Sequence, residues 1–198
     1  MTPASTAIQR RNKGFDDTHR EMIDTAVRLI SEKGVEALSI AALSRAMGIN
    51  RTTVYYHFET RDMLIDAVKA WSAEQLAKAF NNGPATRGQR IDYITRFVLE
   101  NPELIKLWIE DLVSVGDIRT RYPQWDALVE GIRTSFGGDN SDDPVDAEVY
   151  CVLLLTSAII GPRVFKNSVR PSEDVDKVLT RFRLEWQRIL NKEGLLDS

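Results

Sequence analysis

Apolar residues recur at intervals of three and four along most of the chain, the spacing of helices with one buried face. The first run is Met22, Ile23, Ala26, Val27, Leu29 and Ile30, opened by the capping residues Asp16 and Asp17 and closed by Gly34. Ser39 precedes Ile40, Leu43 and Met47, a short second helix that stops at Gly48. Asn50 is a good N-cap for a third, very short segment reaching about His57. Thr60 opens a long fourth helix through Leu64, Ala67, Val68, Trp71, Leu76 and Phe80, ended by Asn81-Asn82-Gly83-Pro84. Further helices are predicted near residues 87–100, 103–116, 123–136, 145–165 and 172–192. Their separators are Pro102, Gly116, the stretch 137–144 and residues 167–171. From Val149 to Ile160 the chain is apolar on nearly every side, which predicts burial against more than one neighbour; Pro162 should kink or end that helix. No run alternates with the period of two that a half-buried strand needs. The pattern predicts an all-α protein of about nine helices, with a three-helix N-terminal head joined through a long helix to a larger C-terminal helical body.

Composition narrows the function classes. The 198 residues are 43% hydrophobic and 28% charged, an ordinary globular balance. The longest uncharged stretch, Val149 to Pro162, falls short of the ~20 residues a membrane-spanning helix needs. No basic, apolar and small-residue leader is present, so the expectation is a cytoplasmic protein with no membrane partner. The single cysteine, Cys151, excludes an internal disulfide framework and a four-cysteine zinc site. With only His19 and His57 besides, no metal and no cofactor is expected. No glycine-rich phosphate loop, His-Glu-x-x-His helix or nucleophile elbow occurs, and Cys151 sits in an apolar run as an inert thiol. The expectation is a protein that is not an enzyme.

The net charge of −3 is unevenly laid out. Residues 1–60 hold eight Lys/Arg against seven Asp/Glu, and residues 61–198 hold eighteen against twenty-two. Residues 1–15 contain Arg10, Arg11 and Lys13 with no acid and no apolar periodicity, which predicts a flexible basic arm. An acidic protein can still hold nucleic acid with a local basic surface, since phosphates respond to the nearby field. Such an arm follows the DNA backbone, enters the minor groove, or is a solvated tail.

The most informative stretch is Leu43 to Leu64, LSRAMGINRTTVYYHFETRDML. Gly48 can take the positive φ that turns the chain, Ile49 can plug a small core, and Asn50 can cap the next helix. In the segment after the turn, Val54 and Phe58 lie four apart and face inward. The other positions, Arg51, Thr52, Thr53, Tyr55, Tyr56 and His57, are donors or amphipathic rings, and no carboxylate stands between Asn50 and Phe58. A surface that meets phosphates and base edges needs donors and tolerates few carboxylates. A helical ligand-binding protein without DNA-binding activity would have no need of those donors.

On these residues the chain resembles the DNA-binding head of the TetR (tetracycline-repressor-type) family of transcriptional regulators, from about Asp16 to Trp71. The resemblance is carried by Ala26 to Gly34, Leu38-Ser39-Ile40, Met47-Gly48-Ile49, Val54-Tyr55-Tyr56-His57-Phe58 and Thr60-Arg61-Asp62-Met63-Leu64. It implies that Arg51 to His57 enter the major groove of a double-stranded DNA operator. Thr52 and Tyr55 would then lie nearest the base edges, with Thr53, Tyr56 and His57 closer to phosphates. Ser39 and the helix start behind it would hold a phosphate, where the positive dipole end attracts anions. Arg61, where the family most often has Lys, would touch another. Each has a plainer alternative. Tyr55 packs on the fourth helix, His57 touches nothing, and Arg51 is solvated or reaches either a guanine or a phosphate.

The resemblance further implies three regions: an arm at 1–15, the head at 16–60, and a ligand-binding and dimerisation body at 61–198. Homodimers of the family pair their last two long helices, here near 145–165 and 172–192, through Val149, Val152, Leu153, Phe182, Trp186 and Ile189. A small-molecule effector would occupy the body, with Phe97, Trp108, Trp125 and Tyr150 either lining its pocket or forming plain core. The expected outcome is a repressor released from its operator by that effector.

Overall fold

In the computed structural model the backbone is described for residues 3–81, 86–122, 124–136 and 145–192. Capping chemistry sets most element starts. The Ser39 side chain accepts from the Ala42 N–H at 3.1 Å and opens α2 (Ile40–Met47). Asn50 accepts from Thr52 N–H at 3.0 Å and opens α3 (Arg51–His57). Thr60 Oγ1 accepts from Met63 N–H at the start of α4 (Arg61–Asn81). Between α2 and α3 the chain turns at Gly48, φ +67°, whose N–H closes back on the Arg45 carbonyl.

The first helix, α1, spans Pro3–Lys33 and begins well before the apolar run. Asp16 and Asp17, expected as its opening caps, lie inside it, and residues 3–15 continue the helix in place of a non-helical arm. The reason is local propensity. Pro3 suits a first turn, and Ala4, Ala7, Gln9, Arg10, Arg11 and Lys13 are tolerant or strong helix formers. A helix already anchored by a packed segment extends without an apolar face of its own. The separators at 82–84 and 137–144, and the side chains of Arg10, Arg11, Lys13 and Phe80, lie outside the described residues.

The chain divides into two compact units, Met1–Gln75 and Leu76–Ser198. In the first, Met22, Ala26 and Ile30 of α1, Leu38, Leu43 of α2, Val54 of α3, and Leu64 and Val68 of α4 are all fully buried. The first half of α4 therefore packs with the head, which carries this unit past the last head motif.

In the second unit, α5 (Arg87–Glu100) opens with a capping box between Thr86 and Gln89, and α6 (Pro102–Val113) opens at Pro102. After these come α7 (Ile118–Arg121), α8 (Trp125–Ser135), α9 (Ala147–Val164) and α10 (Val175–Lys192). The described residues thus hold ten α-helices and no strand; the addition to the expected nine is the four-residue α7. Helix α5 packs against α9 and α10, and α8 packs against α9. Gly88 lets α5 approach α10, since a Cβ there would stand 3.0 Å from Gln187 Nε2. Ion pairs of Arg183 with Asp92, and of Arg96 with Asp176 at 2.6 Å, cross the same contact.

Two features of α9 qualify the pattern of its sequence. Pro162, expected to kink or end the helix, lies inside it, two residues before the α-helical part stops at Val164 and a π turn follows over Phe165–Val169. The resulting 23-residue segment, Ala147–Val169, is long and apolar enough to cross a bilayer by length and composition, which the shorter uncharged run had concealed. Its charged residues tie it to the helical body instead. Glu148 pairs with Arg119 at 2.7 Å, Arg163 donates to the Leu99 carbonyl, and Lys166 donates to the carbonyls of Pro171 and Glu173.

Nothing lies within 4 Å of a Cβ placed on Gly48, so the cost of a side chain there is conformational alone. Gly48→Ala is expected to lower stability by about 1–2 kcal/mol, read by urea unfolding; a loss under a few tenths would show that the turn tolerates an L-residue.

Candidate nucleic-acid interface

The turn at Gly48 and the cap at Asn50 fix where α3 starts, and two inward side chains fix which way it faces. Val54 is fully buried and Phe58, just past the helix end, is nearly so. With those two facing in, Arg51, Thr52, Thr53, Tyr55 and Tyr56 are exposed, the tyrosines by 51% and 70%. That settles Tyr55 on the open side of the helix. The exposed face offers a guanidinium, two hydroxyls and two phenols, with no carboxylate on the element. Such a face can donate to phosphates and base edges without repelling them.

Ser39 stands at the start of α2, where it caps the Ala42 N–H; a hydroxyl used this way still carries its own donor hydrogen. Arg61 is placed differently from a free phosphate ligand. Its Nε and Nη2 donate to the carbonyls of Leu38 and Val35 at 2.8 and 2.9 Å, and the Glu36 carboxylate lies 3.8 Å away. The guanidinium thus pins the start of α4 to the connection that leads into Ser39. The planar fork reaches the two carbonyls from two nitrogens held in fixed geometry, which the single flexible ammonium of a Lys would match less well.

His57 is half-buried beneath α1. Phe15 stacks on its ring at 4.1 Å between centroids, and His19 lies 5.6 Å away. Burial, then the facing His19, hold the His57 imidazole below its ordinary pKa. Sequence reasoning passed over Phe15 and His19. The available signal was their spacing: positions 15, 19, 22, 26 and 30 form one stripe once α1 is known to start early.

In the second unit the expected effector residues separate. Trp108 and Trp125 are buried; Trp125 packs with Val129, Ala147 and Cys151, and Trp108 lies beside Tyr122. Phe97 is half-buried on α5, and Tyr150 is half-buried against Phe136. A hollow of about 420 Å³ runs along α9 and α10, lined among others by Tyr150, Leu153, Phe182, Trp186 and Ile189. Of the four expected pocket residues it takes only Tyr150, but it unites four of the six expected dimer residues. The other two, Val149 and Val152, are exposed on α9. Burial pushes the Cys151 thiol up to about 11, which keeps it protonated and unreactive.

Two short helices around a left-handed glycine, the second carrying an outward face free of carboxylates, define a helix-turn-helix DNA-binding protein. The family model described as bacterial regulatory proteins, tetR family, matches residues 22–68. An HTH-type transcriptional repressor of Mycobacterium tuberculosis is 24% identical over 181 residues, covering 89% of this chain and 88% of that protein. A tetR-family transcriptional regulator from Streptomyces coelicolor shares the fold at a TM-score of 0.64, with 19% identity over 92% of this chain and 84% of its own. So does a transcriptional regulator from Saccharomonospora viridis solved in complex with choline, at a TM-score of 0.55 and 18% identity, over 84% and 94%. Residues 22–68 thus carry a DNA-binding domain of the tetR family type, and the chain is a DNA-binding transcriptional regulator.

The brace at Arg61 generates a test. Arg61→Met should cost about 1–3 kcal/mol of stability, with Arg61→Lys restoring only part of it; full recovery in the Lys variant, read by urea unfolding, would assign Arg61 a simple charge role.

Proposed function

We propose that this regulator is a repressor that binds its operator as a homodimer and leaves it when a small-molecule effector occupies the C-terminal body. The observation that carries the DNA-binding half is the exposed donor face of α3, set outward by the burial of Val54 and Phe58. Arg51, Thr52 and Tyr55 serve the base edges, Thr53 and Tyr56 the backbone, and Ser39 a phosphate at the start of α2. We assign DNA binding to the head motifs of residues 16–60, a basic N-terminal extension to 1–15, and ligand binding and dimerisation to the part of 61–198 that lies beyond the half of α4 packed with the head. A protein that acts on chromosomal DNA works in the cytoplasm.

The dimer reading is supported by the outer face of α9 and α10. Val149, Val152 and Ile189 are about half exposed, and Leu153 is 58% exposed, beside the hollow that Phe182 and Trp186 help to line. Concentrating exposed apolar side chains on one face is costly unless a partner covers them, and a two-fold copy satisfies both faces at once. The acidic composition of residues 61–198 favours a neutral or cationic effector. The choline bound to the Saccharomonospora protein is in keeping with that sign. Tyr150 and Phe97, which keep partial exposure, are better placed to meet a ligand than Trp108 and Trp125 in the core. An effector acts only through a preference for one conformation. Helix α4, unbroken from Arg61 to Asn81, is continuous between the two units and is the natural carrier of that preference.

The test uses the full chain and a duplex selected by it from random-sequence pools, with a panel of single-mismatch duplexes. Arg51→Ala should weaken binding. If Arg51 reads guanine, the loss is about 1–3 kcal/mol and specificity relaxes at one position; if it holds phosphate, all sequences weaken alike and the salt slope falls by about 1. Combined replacement of Arg51, Thr52 and Tyr55 by alanine that left affinity intact would overturn the assignment of α3.

A further inference from the structure

We propose that Phe15 and His19 of α1 are positioning residues for DNA binding, forming an aromatic seat that fixes Tyr56 and His57 at the end of α3. The inference rests on the reading of α3 as the helix that meets DNA.

A helix of seven residues cannot hold its own direction, because too few internal hydrogen bonds offset the ordering of its backbone. Its first turn is set by the Asn50 cap and its middle by Val54. The last turn needs a support of its own, and α1 supplies it. Phe15 lies nearly parallel to the His57 ring, 4.1 Å between centroids, and meets Tyr56 edge-on at 5.5 Å. His19, one turn further along α1, stacks on Phe58 at 4.6 Å and stands 5.6 Å from His57. Tyr56 and His57 are themselves edge-to-face at 5.7 Å. Offset-stacked and edge-on pairs are the preferred arrangements of aromatic rings, so five rings lock one geometry.

The seat holds the base of Tyr56 and leaves its far end free. Tyr56 is 70% exposed even though its ring leans on Phe15, so the phenol projects from a fixed base. Phe15 itself is only half-buried and lies beyond Met22, where the fully buried stripe of α1 begins. A phenylalanine in that position contributes less to the head core than to the orientation of what it touches. The two imidazoles add a second signature. Neither His19 Nδ1 nor His57 Nδ1 has a hydrogen-bond partner, and both atoms are buried. A charged imidazole carries a hydrogen on each nitrogen, so protonation would strand a buried donor. His57 meets Phe15 and His19 from α1 and Tyr56 on its own helix; His19 is the titratable group that opposes its charge. Removing Phe15 uncovers His57, so its titration midpoint should rise toward the ordinary imidazole value.

The experiment measures two things on the full-length protein: affinity for the selected duplex, and the pH titration of the imidazole resonances by NMR. The chain has two histidines, so a His19→Gln variant assigns them. Phe15→Ala should bind about five- to tenfold more weakly and shift the His57 midpoint upward, while Phe15→Tyr keeps both near the parent values. Affinity within about twofold of the parent, or weaker binding with an unmoved midpoint, overturns the proposal. If Phe15→Ala loses helical structure, Phe15→Leu decides, since it keeps apolar bulk without a flat ring; parent-like affinity there removes the aromatic seat. Failure of the parent chain itself to select any duplex would instead remove the reading of α3, and this inference with it.

Discussion

The structure of the head depends on a seven-residue helix that is too short to stand alone and must be oriented by what it buries. Val54 and Phe58 turn inward, and Arg51, Thr52, Thr53, Tyr55 and Tyr56 are consequently turned out, while His57 sits half-buried against α1. Each neighbouring feature serves that constraint. Gly48 supplies the left-handed bend, Asn50 the cap, Arg61 the clamp on the entry to α2, and α1 the rings under the last turn. An exposed row of hydroxyls, phenols and one guanidinium is inexpensive to maintain in water. Fixing it in direction is what requires the surrounding helices.

Much of this head is legible in the sequence. Caps and turn residues act through neighbours three or four positions away, so Ser39, Gly48 and Asn50 announce their elements locally. The split of α3 into inward and outward positions comes from helical period alone. What the sequence conceals are contacts across long separations. Arg61 looks like a phosphate ligand by position, and only the fold shows that its Nε and Nη2 also brace the Leu38 and Val35 carbonyls. Phe15 and His19 extend the stripe of 22, 26 and 30 by two positions, but they border a stretch whose earlier residues resemble an arm, so the stripe shows only once α1 is known to start early.

The second unit is legible as helices but not as a site. Aromatic residues at helical spacing look alike whether they line a pocket or fill a core. Trp108 and Trp125 are core, whereas Tyr150 borders the α9–α10 hollow. Uninterrupted apolar character likewise fails to separate burial from exposure on α9: Cys151 and Ile159 are enclosed, while Val149, Val152 and Leu153 face outward. Pro162, expected to kink or end the helix, stands two residues before its α-helical part stops at Val164, and a π turn follows over Phe165–Val169.

The central claim, that α3 presents the surface that meets DNA, is tested most directly by amide hydrogen exchange on the full chain with and without its selected duplex. Slowed exchange is expected to concentrate in Arg51 to His57 and at the start of α2 behind Ser39. Slowing confined to other helices, with α3 exchanging at its free rate in the complex, would contradict it.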